Sequence, residues 1–538
     1  MNHPLLQKAS IVLSPTGYAE DFLHSIKPAQ SFSSELVTNG DFSTSSDWTL
    51  GTGWSYGTGV LVSAGHSSHT SATQSISFES GKKYKITINL TVTSGNFSIQ
   101  LTGGGTDTGS VISSTGVHTE VITPSGNRTT LAIRSNDGNG VGSVLSISVV
   151  KQTDADFDFT RVTTATRVNE SGLIETVATE TPRINYTSAI GSILLEPSRT
   201  NDVTYSNDVT DSGNVYTNMS ASVNQTTSPE GITNAGKLTE STANGEHYFQ
   251  RTQATSSGNY YTVSFFAKYN GRGASMNIGA SRLYAHFDLQ LGTVIASGNN
   301  SDWQNLSTDI INYGNGWYRC IMTGESVTGA GGYIRIGTNN GSTSGHTSSY
   351  TGDGTSGIFI YGIQMEIGSY PTSLIHTSGS TVTRGRDLAN NAGNSDLINS
   401  SEGVLYAEIG ALADDGTFRL LSVSDGTNNN TVKFGYRSDS NVIYYEVRAG
   451  SSSVAFQLYS TTDVTQFHKV ALRYKVNDFA MWVNGTQVLT DTSGAAPTGF
   501  SSVQFTRGDS SSIFYGKVKV LAVFKEALTD AELTTLTS

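Results

Sequence analysis

The sequence predicts an all-β protein: several antiparallel β-sandwich (jelly-roll) domains in tandem, with an irregular N-terminal arm and strap-like linkers. Three observations predict it. Charged residues make up only 14% of the 538 residues, and 58 residues are glycine, so turn formers abound while the Ala, Leu, Glu and Lys that build helical bundles are scarce. Apolar residues, 36% of the chain, fall in short runs that alternate with polar ones, the period of a half-buried strand. The length exceeds what one core serves, so about three or four domains are expected.

The elements follow in order. Residues 1–34 form an arm interrupted by Pro4, Pro15 and Pro28, without sustained periodicity. Residues 35–150 form a first sandwich: Tyr84, Ile86, Ile88, Leu90 and Val92 alternate, as do Phe97, Ile99 and Leu101, and then Leu145, Ile147 and Val149. Such one-faced strands need a second sheet to cover them. Residues 151–201 form a strap, rich in arginines whose planar forks suit carbonyls and carboxylates: Arg161, Arg167, Arg183 and Arg199, with Arg384 in the matching exit strap. Residues 202–387 form a second sandwich with that exit strap. Its strands include Tyr261, Val263, Phe265, Ala267 and Tyr269, and Phe359, Tyr361, Ile363, Met365 and Ile367, and Gly314-Asn315-Gly316 is a turn. Residues 388–538 form a third sandwich. Val470 to Val476 and Phe479 to Val483 are strands, and Asn484-Gly485 supplies a type I′ hairpin turn. Near the end, Thr529 and Glu532 form a capping box, with Leu528 and Leu533 as its hydrophobic staple.

Composition also narrows function. The net charge of −12, with scattered basic residues, disfavours nucleic-acid binding. The single cysteine, Cys320, precludes an internal disulfide framework and reads as a buried inert thiol. Neither a secretion signal nor a membrane span is read from the sequence. There is no G-x-S-x-G elbow, H-E-x-x-H helix, P-loop or E-x-D-x-x-E strand, and Glu408 and Glu446 lie on strands without a visible carboxylate partner. His66 and His69 form the closest histidine pair, two ligands short of a zinc site. Asp41, Asp137, Asp353 and Asp425 lie in Gly/Asn-rich loops and are the candidates for a Ca2+ clip, with a simple Asx-turn as the alternative for each.

Several stretches resemble known families. The run Leu36 to Trp48, LVTNGDFSTSSDW, resembles the opening strand of jelly-roll carbohydrate-binding modules. That resemblance implies sugar stacking by the nearby aromatics Trp48, Trp54 and Tyr56, with Trp303 as a further candidate, against the alternative of core plugs. Phe157 to Asn201 and Gln364 to Asp387 resemble a paired strap found around a sandwich in bacteriophage structural proteins; the matched residues include Phe159, Arg161, Arg167, Arg183, Glu196, Arg199, Glu366, Tyr370, Arg384 and Asp387. The last 150 residues resemble a laminin-G or concanavalin A-like lectin domain. Together these imply a non-enzymatic virion surface protein, a tail fibre or head fibre, made in the host cytoplasm. It would anchor to other virion proteins through the arm, touch host-surface glycans, and assemble as a homo-oligomer, with a trimer favoured. A purely structural capsid or tail component and a polysaccharide depolymerase are the alternatives.

Overall fold

The structure, a computed structural model, describes residues 3–15, 25–27, 31–153, 157–187, 190–279, 282–342 and 348–538. It is all β, in antiparallel sheets, apart from short helical turns and one terminal helix. Two compact units emerge: Lys27–Ala155, and Met1–Ile26 together with Asp156–Ser538.

The unit Lys27–Ala155 is a sandwich of a five-stranded and a six-stranded sheet. Tyr84, Ile86, Ile88 and Leu90 point from the strand Lys83–Ser94 into a core shared with Phe97, Ile99, Leu101, Leu131 and Ile133. The third expected alternation breaks. A bulge between Val144 and Ser146 ejects Leu145 to the surface, and Val144 takes the inward place ahead of Ile147 and Val149.

In the other unit, a sandwich of two six-stranded sheets encloses a core that includes Val263, Phe265, Met276, Ile336 and Met365. The strand Tyr260–Asn270 is buried on both faces: on its reverse, Phe266 packs with Val168, Ile174 and Leu374 of the straps, Ser264 accepts from Arg319, and Thr262 donates to Gly368 O. The strand Gly357–Ile367 changes phase at Gly362, whose φ of 61° suits glycine. Ile358 and Ile360 face the core before it, Ile363 and Met365 after it, while Tyr361 faces the straps and Ile367 is exposed. One continuous alternation from Phe359 to Ile367 is therefore replaced by two half-strands out of phase.

The last sandwich pairs a nine-stranded sheet with the five-stranded sheet built on Arg419–Ser424, Thr431–Tyr436 and Val442–Ala449. Asn484 and Gly485 both have positive φ, as a type I′ turn requires. Thr529 caps the helix Asp530–Thr537 in a reciprocal box with Glu532, and Leu528 and Leu533 pack together with Trp482.

Residues 3–13, expected as an arm reaching another protein, are engaged within the chain. Ile11–Leu13 pairs with Leu521 to Val523, and Ser192–Leu195 pairs with Gly516 to Val518, so two distant segments divide one edge of the strand Gly516–Phe524. Leu5, Leu6, Ala9 and Val12 join the terminal helix in covering the outer face of that sheet. The reason is local: a three-residue apolar run beside an open edge gains both ladder hydrogen bonds and burial. The arm's remaining stretches, residues 16–24 and 28–30 with Pro28, lie outside the described residues.

Candidate functional site

The proposed sugar-stacking tryptophans are core residues. Trp48 is 7% exposed; it packs 5.6 Å from Phe42 and donates its indole N–H to Asn39 O. The Asn39-Gly40-Asp41-Phe42 motif is thus a corner that plugs the core, with Gly40 held where a Cβ would meet Ile147 O at 2.2 Å. Trp54 is equally buried and meets Phe97 edge-on, and Trp303, 1% exposed, meets Tyr261 in the same way. Tyr56 is half-buried, and its hydroxyl bridges Ser46 O and the Trp48 backbone. Large indoles gain most where they are fully desolvated, which outweighs display in a Gly/Ser-rich surface.

The calcium candidates are engaged in their own loops. Asp41 accepts from Ser43; Asp353 accepts from Thr355, Ser356 and Arg272; Asp425 accepts from Thr427 and Asn430. The side chain of Asp137 lies outside the described residues. Among the described residues, no three Asp, Glu, His or Cys side chains gather as a metal site would require. Cys320 is fully buried, which pushes its thiol pKa well up. Glu408 pairs with Lys519 at 3.2 Å.

The strap arginines divide into two groups. Arg161, Arg183 and Arg384 converge on Asp387 and Glu196 in a buried clasp. Arg161 Nη1 donates to Asp387 at 3.0 Å, and Arg183 bridges Asp387 and Glu196. Arg384 donates to Glu196 at 2.7 Å, as does the Ser373 hydroxyl. Burial pushes the Glu196 carboxyl up, but Arg384 and Arg183 outweigh it and bring its pKa down to about 2. Arg167 instead pairs with the partly exposed Glu175, and Arg199 lies over the Tyr370 ring at 5.5 Å. The clasp joins both straps and is almost wholly buried, with Glu196 alone bordering a cavity, an arrangement that suits a structural lock.

A different surface has the composition of a ligand face. The strands Tyr248–Thr252, Tyr333–Asn339, Gly273–Ile278 and Leu283–Asp288 are neighbours in one sheet of the second sandwich. Their inward residues, among them Phe249, Ile336, Met276 and Ala285, are core. Their outward residues form cross-strand rows. One row runs Gln250, Arg335, Asn277, Tyr284, Gly298; its neighbour runs Tyr248, Gly337, Ser275. Arg335 lies between two rings, 4.2 Å from the Tyr248 centroid and 4.8 Å from that of Tyr333, and Gln250 accepts from its Nε at 3.1 Å. A Cβ on Gly298 would meet the Tyr284 ring at 2.7 Å, and one on Gly337 would meet Tyr248 Cβ at 2.8 Å. Tyr284 therefore lies down over a glycine, half-buried, while the half-buried Tyr248 ring lies against Arg335. Tyr248, Ser275, Asn277, Arg335 and Gly337 line a depression there. Flat rings beside amide and guanidinium donors suit a ligand with apolar C–H faces and many hydroxyls. The signal was present in Tyr248-Phe249-Gln250 and Tyr333-Ile334-Arg335, whose outward partners are aromatic and polar in alternation.

A smaller aromatic patch lies on the last sandwich. Phe418, Tyr444 and Phe456 sit in a chain with centroids 6.4 and 5.7 Å apart, Phe456 being 47% exposed. Arg437 lies over both Phe418 and Tyr444. Beside them, burial pushes the Glu446 carboxyl up, but Lys433 at 2.8 Å and the Tyr444 hydroxyl bring its pKa down to about 2, which makes it an ion-pair partner and a poor general acid.

No protein-family model matches the chain, and no curated protein does. Among solved structures, the CBM40 of the Ruminococcus gnavus IT-sialidase bound to alpha2,3 sialyllactose matches at 18% identity and a TM-score of 0.24, over 28% of this chain and 94% of that one. The leech intramolecular trans-sialidase matches at 17% identity and a TM-score of 0.22, over 26% of this chain and 23% of that one. The CBM22-1-CBM22-2 tandem domain from Paenibacillus barcinonensis Xyn10C matches at 12% identity and a TM-score of 0.19, over 63% and 99%. Similarity of this size assigns neither a ligand nor a residue role to this chain.

Proposed function

We propose that the chain is a non-catalytic surface protein of a bacteriophage virion, a tail fibre or head fibre, that attaches to host-surface glycans. The observation that carries the glycan reading is the outward face bearing Tyr248, Tyr284, Tyr333, Arg335, Gln250 and Asn277, which combines stacking platforms with hydrogen-bond donors on rigid strands. The virion reading rests on the strap residues from Phe157 to Asn201 and from Gln364 to Asp387. In this reading the protein is made in the host cytoplasm, sits on the particle exterior and works as a homo-oligomer, a trimer, in which weak single sites add up through multivalency.

A glycan array with the whole chain tests the first part. Binding to host polysaccharides is expected, with Tyr248→Ala and Tyr333→Ala each weakening it about 10-fold. Full retention of binding in both variants refutes the assignment of the face, and release of new reducing ends from the polysaccharide refutes the non-catalytic reading. Immunogold labelling of intact particles tests the second part. A spacer without sugar specificity is the second reading, favoured by the buried clasp, which spends five charged groups on rigidity alone.

A further inference from the structure

Arg319 stands apart from the other buried arginines. Among the described residues those others, from Arg128 to Arg473, each hold an ion pair with Asp or Glu. Arg319, 5% exposed, has none. Its Nη2 donates to Ser264 Oγ at 2.9 Å and to Thr372 O at 2.8 Å, and its Nε is buried without a hydrogen-bond partner. Glu366, on the same sheet face, spends its oxygens on Gln364 and Thr372. Arg319 and the fully buried Glu366 meet through Thr372 and form no direct ion pair, so the guanidinium keeps capacity for an anion, which gains more beside it than in water.

The space for one is present. Arg319 borders a cavity of about 310 Å³ between the reverse face of its sheet, the straps and the last sandwich. Phe266 and Ile311, its cross-strand neighbours, line the apolar side, with Tyr313 edge-on to Phe266. Asn185 and Thr187 supply polar groups, and Lys517 lies at the wall, its ammonium 5.6 Å from the Phe467 ring and within the field of Asp463. The clasp, whose Glu196 also lines the cavity, sets three guanidiniums against two carboxylates, and with Arg319 and the buried Glu366 added the surplus is one positive charge. In a chain of net charge −12, this is a local positive field around a cavity with both apolar and hydroxyl-binding walls.

We propose that this cavity binds a carboxylate-bearing monosaccharide, a uronic acid, with its carboxylate toward Arg319, its ring against Ile311 and Tyr313 and its hydroxyls toward Asn185 and Thr187. The site is separate from the tyrosine face and stands whether or not that face binds glycans. Isothermal titration of the whole chain with D-glucuronate, D-glucose and acetate tests it. Saturable binding of glucuronate is expected, with none for glucose and at least about 10-fold weaker binding for acetate. Arg319→Gln is expected to weaken glucuronate binding by about 10- to 100-fold, the loss of a charge-assisted pair. Lys517→Met, at the wall and outside the core, gives a second readout that does not disturb the sheet, with about 3- to 10-fold weaker binding expected. Absence of saturable glucuronate heat overturns the proposal. Acetate binding as tight as glucuronate overturns it too, as does unchanged affinity in both variants. Tyr248→Ala leaves this binding intact, which separates the two sites.

Discussion

Replacing Asp387 with alanine tests the clasp directly. Asp387 is completely buried, and its two oxygens answer Arg161 and Arg183, while Oδ2 also accepts the Glu196 backbone N–H at 2.8 Å. Its removal leaves three guanidiniums against one carboxylate with no water to compensate. Breaking a buried pair on one side costs roughly 3–5 kcal/mol, far more than the pair's net worth, because the remaining charges stay desolvated. The Lys8–Glu532 pair, largely exposed on the lysine side, is the control, and Lys8→Ala there costs about 0–1 kcal/mol. Urea unfolding followed by tryptophan fluorescence, with Trp48 and Trp54 or Trp303, Trp317 and Trp482 replaced by phenylalanine in turn, reads the change. Trp48 and Trp54 report the unit Lys27–Ala155, whereas Trp303, Trp317 and Trp482 report the other, so the loss is expected only in the second set. A midpoint moved no further than by Lys8→Ala refutes the clasp as a lock, and an equal loss in both units refutes its assignment to one of them.

Four further outcomes follow from the same geometry. The Glu196 pKa is depressed in the fold to about 2 from an ordinary 4.5, so its stabilisation is fully present above pH 4.5 and is lost as pH falls toward 2, about 3 kcal/mol in all; Glu196→Gln flattens that slope in acid unfolding curves. Trp48→Ala lowers the stability of Lys27–Ala155 by about 3–5 kcal/mol in denaturant melts, with glycan-array signals unchanged. Val12→Asp frees the edge at Leu521 to Val523, and the protein gains self-association visible by light scattering. Thr529→Ala removes one half of the capping box and costs about 1 kcal/mol in the transition of the last sandwich.

The strands were legible because alternation is a local signal. Tyr84 to Leu90 and the Asn484-Gly485 hairpin stand where periodicity and turn chemistry put them. Phase changes were not legible. Leu145 and Gly362 each mark a bulge, and one inserted residue reverses every side chain beyond it without altering composition. Burial on both faces was also hidden, since Thr262, Ser264 and Gln364 look like surface residues until the straps are laid over them. The tryptophans misled because a Gly/Ser-rich neighbourhood suggests exposure, whereas Phe42, Phe97 and Tyr261 are brought to them from elsewhere in the fold. The tyrosine face needed the sheet order: Tyr248, Tyr284 and Tyr333 come from three strands that only the topology sets side by side.

The divided edge of the strand Gly516–Phe524 governs when this molecule can finish folding. At a synthesis rate of about 5–20 residues per second, Ile11 to Leu13 leaves the ribosome roughly 25–100 seconds before Leu521 exists to receive it. Until then an apolar tripeptide waits unpaired, and Ser192–Leu195 waits for the same late arrival. Closing so large a circuit is slow, since its entropy must be surrendered before any contact repays it. The last sandwich therefore cannot mature before Gly516–Phe524 has been made, and the interval before it is when a chaperone has most to protect.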